Sequence, residues 1–149
     1  MNRIGLSAAI LITLLGGCSN ASAALGGDVA SVESDRLAAK ASSQVADHGG
    51  YAVYELRSSP EASIKEYVAE GAVFAVSWEG PALPNLRQLL GSYFETYKTA
   101  AQAERTSHRS LVVRTPDLVV ESSGRMGAFF GRAYLPRSFP AGVTVDDVQ

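Results

Sequence analysis

The placement of the aromatic residues is the strongest constraint on how this chain folds. Every Tyr, Phe and Trp lies between Tyr51 and Phe139. Within that part the apolar residues alternate with a period of two, except in one segment where the period is close to 3.6. Since large apolar side chains are the ones that fill a core, the pattern predicts that residues 51–149 form one folded domain.

The alternating segments predict five or six β-strands, mostly joined by hairpins. The predicted strands are Tyr51–Arg57, Ile64–Val68, Ala72–Trp78, Leu111–Arg114, Asp117–Glu121 and Met126–Leu135. Residues 69–71 predict a hairpin turn, because Gly71 can adopt a positive φ. Residues 122–125 predict a four-residue hairpin loop.

One segment has the spacing of an amphipathic helix. Asn85 is a typical N-cap residue, and the helix it begins is predicted to run to Glu104. Its apolar positions are Leu86, Leu89, Leu90, Tyr93, Phe94, Tyr97, Ala100 and Ala101. The predicted fold is therefore α+β, with an antiparallel sheet of about five strands and one long amphipathic helix packed on a face.

The segment before the domain, residues 24–50, is rich in Ala, Ser and Gly and poor in large apolar residues. Alanine is the strongest helix former, so a helix is predicted around Val32–Ala46. The segment has too little apolar bulk to pack firmly. We therefore interpret it as a tether with a loosely docked helix.

The first residues are typical of an export signal. Arg3 supplies a positive charge, and Ile4–Leu15 is an apolar stretch. That stretch is shorter than the roughly 20 residues that a permanent transmembrane helix needs, but it matches the apolar region of a secretory signal. We expect residues 1–23 to be a signal peptide, or residues 1–17 if the protein is a lipoprotein.

Two cleavage sites compete in this signal. Leu15-Gly16-Gly17-Cys18 is similar to a bacterial lipobox, which would place a lipid on Cys18. Ala21-Ser22-Ala23 is an ordinary A-x-A site. The first predicts an outer-membrane lipoprotein that faces the periplasm, anchored through its acyl chains. The second predicts a soluble periplasmic or secreted protein.

Composition excludes several function classes. The formal net charge is −2, which gives no electrostatic reason to expect nucleic acid as a partner. The single cysteine excludes an internal disulfide and a cysteine-rich zinc site. The sequence contains no Gly-x-Ser-x-Gly motif and no phosphate-binding loop. We assign no catalytic residue, metal site or cofactor.

Four residues are candidates for binding. Trp78 and Glu79 precede the rigid Gly80-Pro81 connection, where they could form the lip of a binding site. The structural interpretation is that Trp78 fills the core, packed on the predicted helix at Tyr93 or Tyr97. Arg105 and Arg109 belong to a small basic patch that could contact an anionic headgroup or an acidic partner, or that could simply be a solvated loop.

Carboxylates on the predicted strands are the only candidates for hydrolytic chemistry. They are Glu55, Glu66, Glu79 and Glu121. Nothing in the sequence brings two of them together. The structural interpretation is that they face solvent and pair with Lys65, Arg57 or Arg132.

Three blocks carry a resemblance to a known family. Residues Val73–Pro81, Pro84–Phe94 and Asp117–Pro136 resemble an uncharacterised family of exported proteobacterial proteins, domain of unknown function 2844. Residues Ala24–Asp28 are similar to the usual mature start of that family. The resemblance implies a small exported domain, and it brings no activity and no site residue with it.

Three functions remain open from the sequence. The first is a non-enzymatic envelope protein that binds another envelope protein or an envelope component. The second is an envelope hydrolase that acts on glycan or peptide. The third is an inhibitor or chaperone-like partner of another exported protein, with a strand edge or the Trp78 loop as the contact surface.

The mass of the mature N-terminal peptide distinguishes the two cleavage sites. We expect protein expressed in a Gram-negative host to begin at a Cys18 that carries a diacylglyceryl group and an amide-linked acyl chain. Cys18→Ala should abolish this modification. A mature protein that begins at an unmodified Ala24 would contradict the lipoprotein prediction.

Overall fold

The described part of the chain is built around one antiparallel sheet. The structure is a computed structural model, and it describes residues 25–28, 30, 42–59, 62–103 and 110–149. Within these residues the strands are β1 (Ser42–Asp47), β2 (Ala52–Ser59), β3 (Ala62–Ala69), β4 (Ala72–Gly80), β5 (Ser110–Arg114), β6 (Val119–Arg125) and β7 (Ala128–Tyr134). They form a sheet of seven strands in the order β1-β2-β3-β4-β7-β6-β5.

The sheet consists of two meanders that meet in its interior. Strands β1 to β4 pair in sequence order, as do β5 to β7. The meanders join through β4 and β7, which pair from Ala75 opposite Tyr134 to Gly80 opposite Phe129. The α+β class is confirmed, because helical segments connect the two meanders.

The count of about five strands is wrong: the described residues contain seven. The strand that the sequence analysis missed is β1, which occupies part of the helix predicted around residues 32–46. Its six residues pair with β2 from Ser42 opposite Arg57 to Asp47 opposite Ala52. Pairing with a neighbouring strand overrides the helix propensity of an Ala- and Ser-rich segment. Residues 32–41 of the predicted helix lie outside the described residues.

The hairpin turns depend on positive φ angles. Glu70 and Gly71 join β3 to β4 with φ values of 52° and 81°, the two positive angles that a tight two-residue hairpin needs. The predicted loop at residues 122–125 is wrong, because these residues belong to β6. The chain turns instead at Met126 and Gly127, where Gly127 has a φ of 86°.

The predicted helix is present but is interrupted. It begins at its predicted N-cap, since the Asn85 side chain accepts a hydrogen bond from the Gln88 amide at 3.3 Å. It then runs as α1 (Leu86–Leu90), a 3₁₀ turn (Gly91–Tyr93) and α2 (Phe94–Ala103). Gly91 has a φ of 50°, so it ends α1 in a conformation that costs glycine little.

The helices cover one side of the sheet, which we call the helix face. The main core lies between the helices and this face of the sheet. Its buried members are Leu25, Val68, Val73, Val76, Trp78, Leu86, Leu89, Leu90, Val113, Leu118, Val120, Ala133 and Leu135. Tyr93 and Tyr97 pack against the same cluster, as the structural interpretation of Trp78 expects.

The opposite side, which we call the open face, has a smaller core at one end. Its buried members are Tyr67, Phe74, Ala75, Val119, Tyr134 and Val148. The chain after β7 supplies part of this cluster, because Phe139 stacks edge-on against Phe74 and Tyr134 with ring centroids 5.2 and 5.6 Å apart. The residues after β7 therefore cover one end of the open face, and no other described residue covers the opposite end.

A short stretch near the start of the chain is fixed on the domain. Leu25 is buried in the main core, and its amide donates to the Leu89 carbonyl at 2.9 Å. The Gly26 amide donates to the Val73 carbonyl, and the Val73 amide donates to Gly27. The residues immediately after the predicted signal thus add to the edge of the core. The boundaries 1–23, 24–50 and 51–149 stay a prediction.

Trp78 packs over Gly131 at the junction of the two meanders. They lie opposite each other on β4 and β7. A side-chain carbon added at Gly131 would overlap the Trp78 ring and lie 2.6 Å from the Glu121 carbonyl oxygen. The indole ring therefore occupies the space that any other residue at position 131 would need.

Gly131→Ala tests this packing. We expect the substitution to lower the free energy of unfolding by about 1–3 kcal/mol, because the methyl group must displace a buried ring and a backbone carbonyl. Gly50→Ala is the matched control, since an added carbon there has no neighbour within 4 Å. Urea denaturation of both variants gives the comparison. Equal midpoints would contradict the packing argument.

Candidate binding groove

The uncovered end of the open face presents side chains in rows that cross the strands. The register of β3, β4, β7, β6 and β5 defines three such rows. The outer row is Ser63, Glu79, Phe130, Ser123 and Ser110; the middle row is Lys65, Ser77, Arg132, Glu121 and Val112; the inner row is Tyr67, Ala75, Tyr134, Val119 and Arg114. Same-face residues lie about 4.8 Å apart across strands, so each row is continuous.

The chain after β7, residues 135–149, lies over the inner row and is attached to the middle row. We call it the covering segment. Arg132 donates through Nη1 to the carbonyl oxygens of Val145 at 2.9 Å and Val148 at 3.2 Å. Lys65 Nζ donates to the Gln149 carbonyl oxygen at 3.0 Å. These cations bind main-chain oxygens and fix the edge of the covering segment beside the middle row.

Tyr67 holds the end of this segment from the inner row. Its hydroxyl donates to the Gln149 carbonyl oxygen at 2.6 Å and accepts from the Gln149 amide at 2.9 Å. The Tyr67 oxygen also lies 3.4 Å from Ser77 Oγ. One phenol thus bonds to both main-chain groups of the same residue, which fixes the position of Gln149 on the sheet.

An ion-pair network joins Glu121 of the middle row to two arginines. Arg132 Nε donates to Glu121 Oε2 at 2.8 Å, and Arg114 Nη2 donates to Glu121 Oε1 at 2.9 Å. Single ion pairs at this exposure contribute about 1 kcal/mol or less to stability. Their effect here is positional, because Glu121 and Arg132 restrict each other's rotamers.

Tyr134 lies under this network as a neutral phenol. Its burial, and secondly the Glu121 carboxylate, raise the pKa of Tyr134 above the usual 10, while Arg114 and Arg132 act in the opposite direction. Tyr134 therefore adds bulk and no charge at physiological pH.

Between the covering segment and the outer row lies a groove of about 640 Å³. It is lined by Ser63, Lys65, Ser77, Trp78, Glu79, Val112, Glu121, Ser122, Ser123, Phe130, Gly131, Arg132, Val148 and Gln149. Two of its apolar side chains are exposed to solvent, Phe130 by 57% and Val112 by 42%. The groove thus combines hydroxyl and charged groups with apolar surface, as ligand sites commonly do.

The structure places Trp78 and Glu79 beside the same groove but on opposite faces of β4. Trp78 is only 4% exposed, and its indole N–H has no acceptor among the described residues. Glu79 is exposed and belongs to the outer row. A binding role for either residue stays a prediction.

Three other candidates from the sequence are outside the described residues: Cys18, Arg105 and Arg109. Arg114, which follows Arg109 by five residues, pairs with Glu121 at 2.9 Å.

The carboxylates of the strands differ in environment. Glu55 pairs with Arg57 at 2.8 Å and Glu121 with Arg132 at 2.8 Å, as the structural interpretation expects. Glu66 is only 1% exposed and lies in the sheet interior, so the expectation that it faces solvent is wrong. Glu79 has no ion pair within the described residues.

Sequence reasoning missed most of the groove. None of the candidate site residues from the sequence is Ser63, Ser77, Ser123 or Phe130. The available signal was alternation, which places Phe130 and Arg132 on one face of a strand. Alternation alone does not say which residues of other strands lie beside them, because that depends on the register.

Two further findings concern the described residues only. No group of three or more His, Cys, Asp or Glu side chains there is arranged to hold a metal ion. No helix in that part of the chain has the length and apolar character to cross a bilayer.

A comparison with known families identifies the chain. The family described as "Protein of unknown function (DUF2844)" matches residues 21–148, and the chain belongs to it. No curated protein sequence and no solved structure matches the chain.

The covering segment contains a group whose titration can be followed. Thr144 donates to Asp147 Oδ2 from its amide at 2.7 Å and from its hydroxyl at 2.9 Å. These bonds, the amide first, lower the pKa of Asp147 below its usual value. The ionised Asp147 thus favours the folded turn at Val145–Asp147.

Acid should release this turn. Because the pKa of Asp147 is lower in the folded state, its contribution is fully present above about pH 4 and is lost as the pH falls through the folded-state value. Amide exchange and chemical shifts of residues 144–149, followed from pH 7 to pH 2, should show this step. Asp147→Asn should remove it and Asp146→Asn should not. The same step in Asp147→Asn would contradict the assignment.

Proposed function

We propose that this member of the DUF2844 family is a non-enzymatic binding module of the cell envelope, which holds its ligand in the open-face groove. One observation carries the proposal: a preformed groove of about 640 Å³ in which hydroxyl, charged and aromatic side chains converge. An exposed aromatic ring within a concave polar surface is a feature of recognition sites.

The fixed walls of the groove support this proposal. Arg132 is bound to Glu121 and to two main-chain carbonyls, and Lys65 is bound to a third. Side chains that are already ordered lose little conformational entropy when a ligand binds. The groove is therefore organised before its ligand arrives.

The proposed location in the envelope rests on the export signal. If Cys18 carries lipid, the chain from Cys18 to Leu25 can extend at most about 25 Å. Leu25 is buried in the core, so the domain would stay close to the membrane surface and bind an envelope protein or envelope component there. Cleavage after Ala23 would instead give a soluble periplasmic or secreted form of the same module.

A hydrolase is the alternative that a specific observation favours, because Glu79 and Glu121 both line the groove. Register places their Cα atoms about 12 Å apart, two strands and one same-face step away from each other. Both Glu121 oxygens accept from arginine, which makes Glu121 part of the wall. The binding proposal uses the groove without requiring either carboxylate to transfer a proton.

The experiment compares a groove-filling variant with a matched surface variant. Ser123→Tyr adds a large side chain to the outer row, whereas Ser92→Tyr adds the same side chain at an exposed helical position. Chromatographic fractions of an envelope extract are titrated into ¹⁵N-labelled protein. We expect at least one fraction to shift amides of Ser77, Phe130 and Arg132.

The variants decide where that fraction binds. Ser123→Tyr should weaken the response at least tenfold, and Ser92→Tyr should leave it unchanged. The proposal fails if no fraction shifts the groove amides, or if Ser123→Tyr responds as the natural protein does. Conversion of the bound component to a product, abolished by Glu79→Gln, would favour the hydrolase.

A further inference from the structure

Resting on the proposed function, we infer that the ligand of the open-face groove is a neutral carbohydrate chain. In this arrangement one sugar ring stacks on Phe130, and its hydroxyl groups bond to Glu79 and to the serines of the outer row. The inference rests on four features of the groove: an exposed ring, a carboxylate with no ion pair among the described residues, a balanced side-chain charge and an extended row.

Phe130 supplies the apolar contact. It lies at the middle of the outer row, directly between Glu79 and Ser123 on the neighbouring strands, and it is 57% exposed. A sugar ring has an apolar C–H face and a rim of hydroxyl groups. An aromatic ring with polar groups on both sides matches that distribution, because stacking and hydrogen bonding can occur together.

Glu79 supplies the strongest available acceptor. Of the charged side chains that line the groove, Lys65, Glu121 and Arg132 make the hydrogen bonds described above, whereas Glu79 has no ion pair among the described residues. A carboxylate has two oxygens and can accept from two neighbouring hydroxyls. Hydrogen bonds to an ionised acceptor are about twice as strong as neutral ones.

The charge of the lining favours a neutral ligand. Its charged side chains are Lys65 and Arg132 against Glu79 and Glu121, so the formal charges cancel. An anionic ligand would have to compete with the carbonyl and carboxylate oxygens that Lys65 and Arg132 already bind. An acyl chain would cover these charged groups and the serine hydroxyls without bonding to them, which is costly.

The shape of the outer row favours a chain of sugars over a single ring. Ser63 to Ser110 spans five strands, which is about 19 Å at the usual strand spacing. A peptide strand would find no main-chain ladder on this face, because strands present only side chains there and pair only through sheet edges. Hydroxyl-rich ligands need no such ladder.

The test uses defined probes on the full mature protein. Maltotetraose, cellotetraose and N-acetylchitotetraose are the neutral probes, and tetragalacturonate is the anionic one. Each is titrated into ¹⁵N-labelled protein. We expect at least one neutral probe to bind saturably, with shifts at Phe130, Glu79 and Ser123, and tetragalacturonate to bind more weakly than that probe.

Matched variants locate the contacts. Phe130→Ala and Glu79→Ala should each weaken binding of the neutral probe about tenfold, whereas Phe130→Tyr should retain it because the ring remains. Met126→Ala and Glu95→Gln are the controls, since both residues are exposed and lie outside the groove lining. Amide spectra confirm that each variant is folded.

Failure of the inference differs from failure of the proposed function. If no neutral probe binds, if tetragalacturonate binds more tightly, or if Phe130→Ala binds as the natural protein does, the carbohydrate inference is overturned. A groove response to a lipid or peptide fraction of the envelope extract would then leave the binding function standing. The absence of any groove response to either experiment would overturn both.

Discussion

The pairing of β4 with β7 is the contact on which the rest of the structure depends. It is where the two meanders meet, and it joins residues about 55 positions apart in the chain, from Ala75 opposite Tyr134 to Gly80 opposite Phe129. On the helix face the pairing is closed by Trp78 over Gly131. Long-range pairing of this kind costs loop-closure entropy. The apolar burial of the large Trp78 ring at the junction offsets part of that cost.

The same pairing creates the groove on the opposite face. Successive side chains of a strand point to opposite faces. Ser77, next to Trp78, and Arg132, next to Gly131, therefore point to the open face. The register then sets Glu79 beside Phe130, and the β6–β7 register adds Ser123 and Glu121. Core packing and groove geometry are therefore not independent, because a slip of one residue would exchange the two faces.

The prediction from sequence succeeded where local chemistry decides the structure. Asn85 caps the helix because its side chain can reach the Gln88 amide, and Gly71 turns the β3–β4 hairpin because it tolerates a positive φ. Both signals are contained in a few adjacent residues. The break at Gly91 was missed, because a glycine within an amphipathic pattern is compatible with either a continuous or an interrupted helix.

The prediction failed where distant pairing decides. Ser42–Asp47 overlaps the helix predicted around Val32–Ala46, and its pairing with β2 makes it a strand. The site was missed for the same reason: Glu79 was identified through its position beside Trp78, whereas Phe130 and Ser123 become its neighbours through two registers. No local motif encodes that arrangement.

A ligand in the groove would contact both meanders at once. Ser63 and Glu79 come from the first, and Phe130 and Ser123 from the second. A ligand that binds only the folded state adds about 2.7 kcal/mol of stability at one hundred times its dissociation constant. Because this ligand would also bridge the β4–β7 junction, the added stability should oppose the separation of the two meanders. Ligand binding and the stability of the β4–β7 pair are in that way coupled, because Glu79 and Phe130 belong to both the groove and the pair.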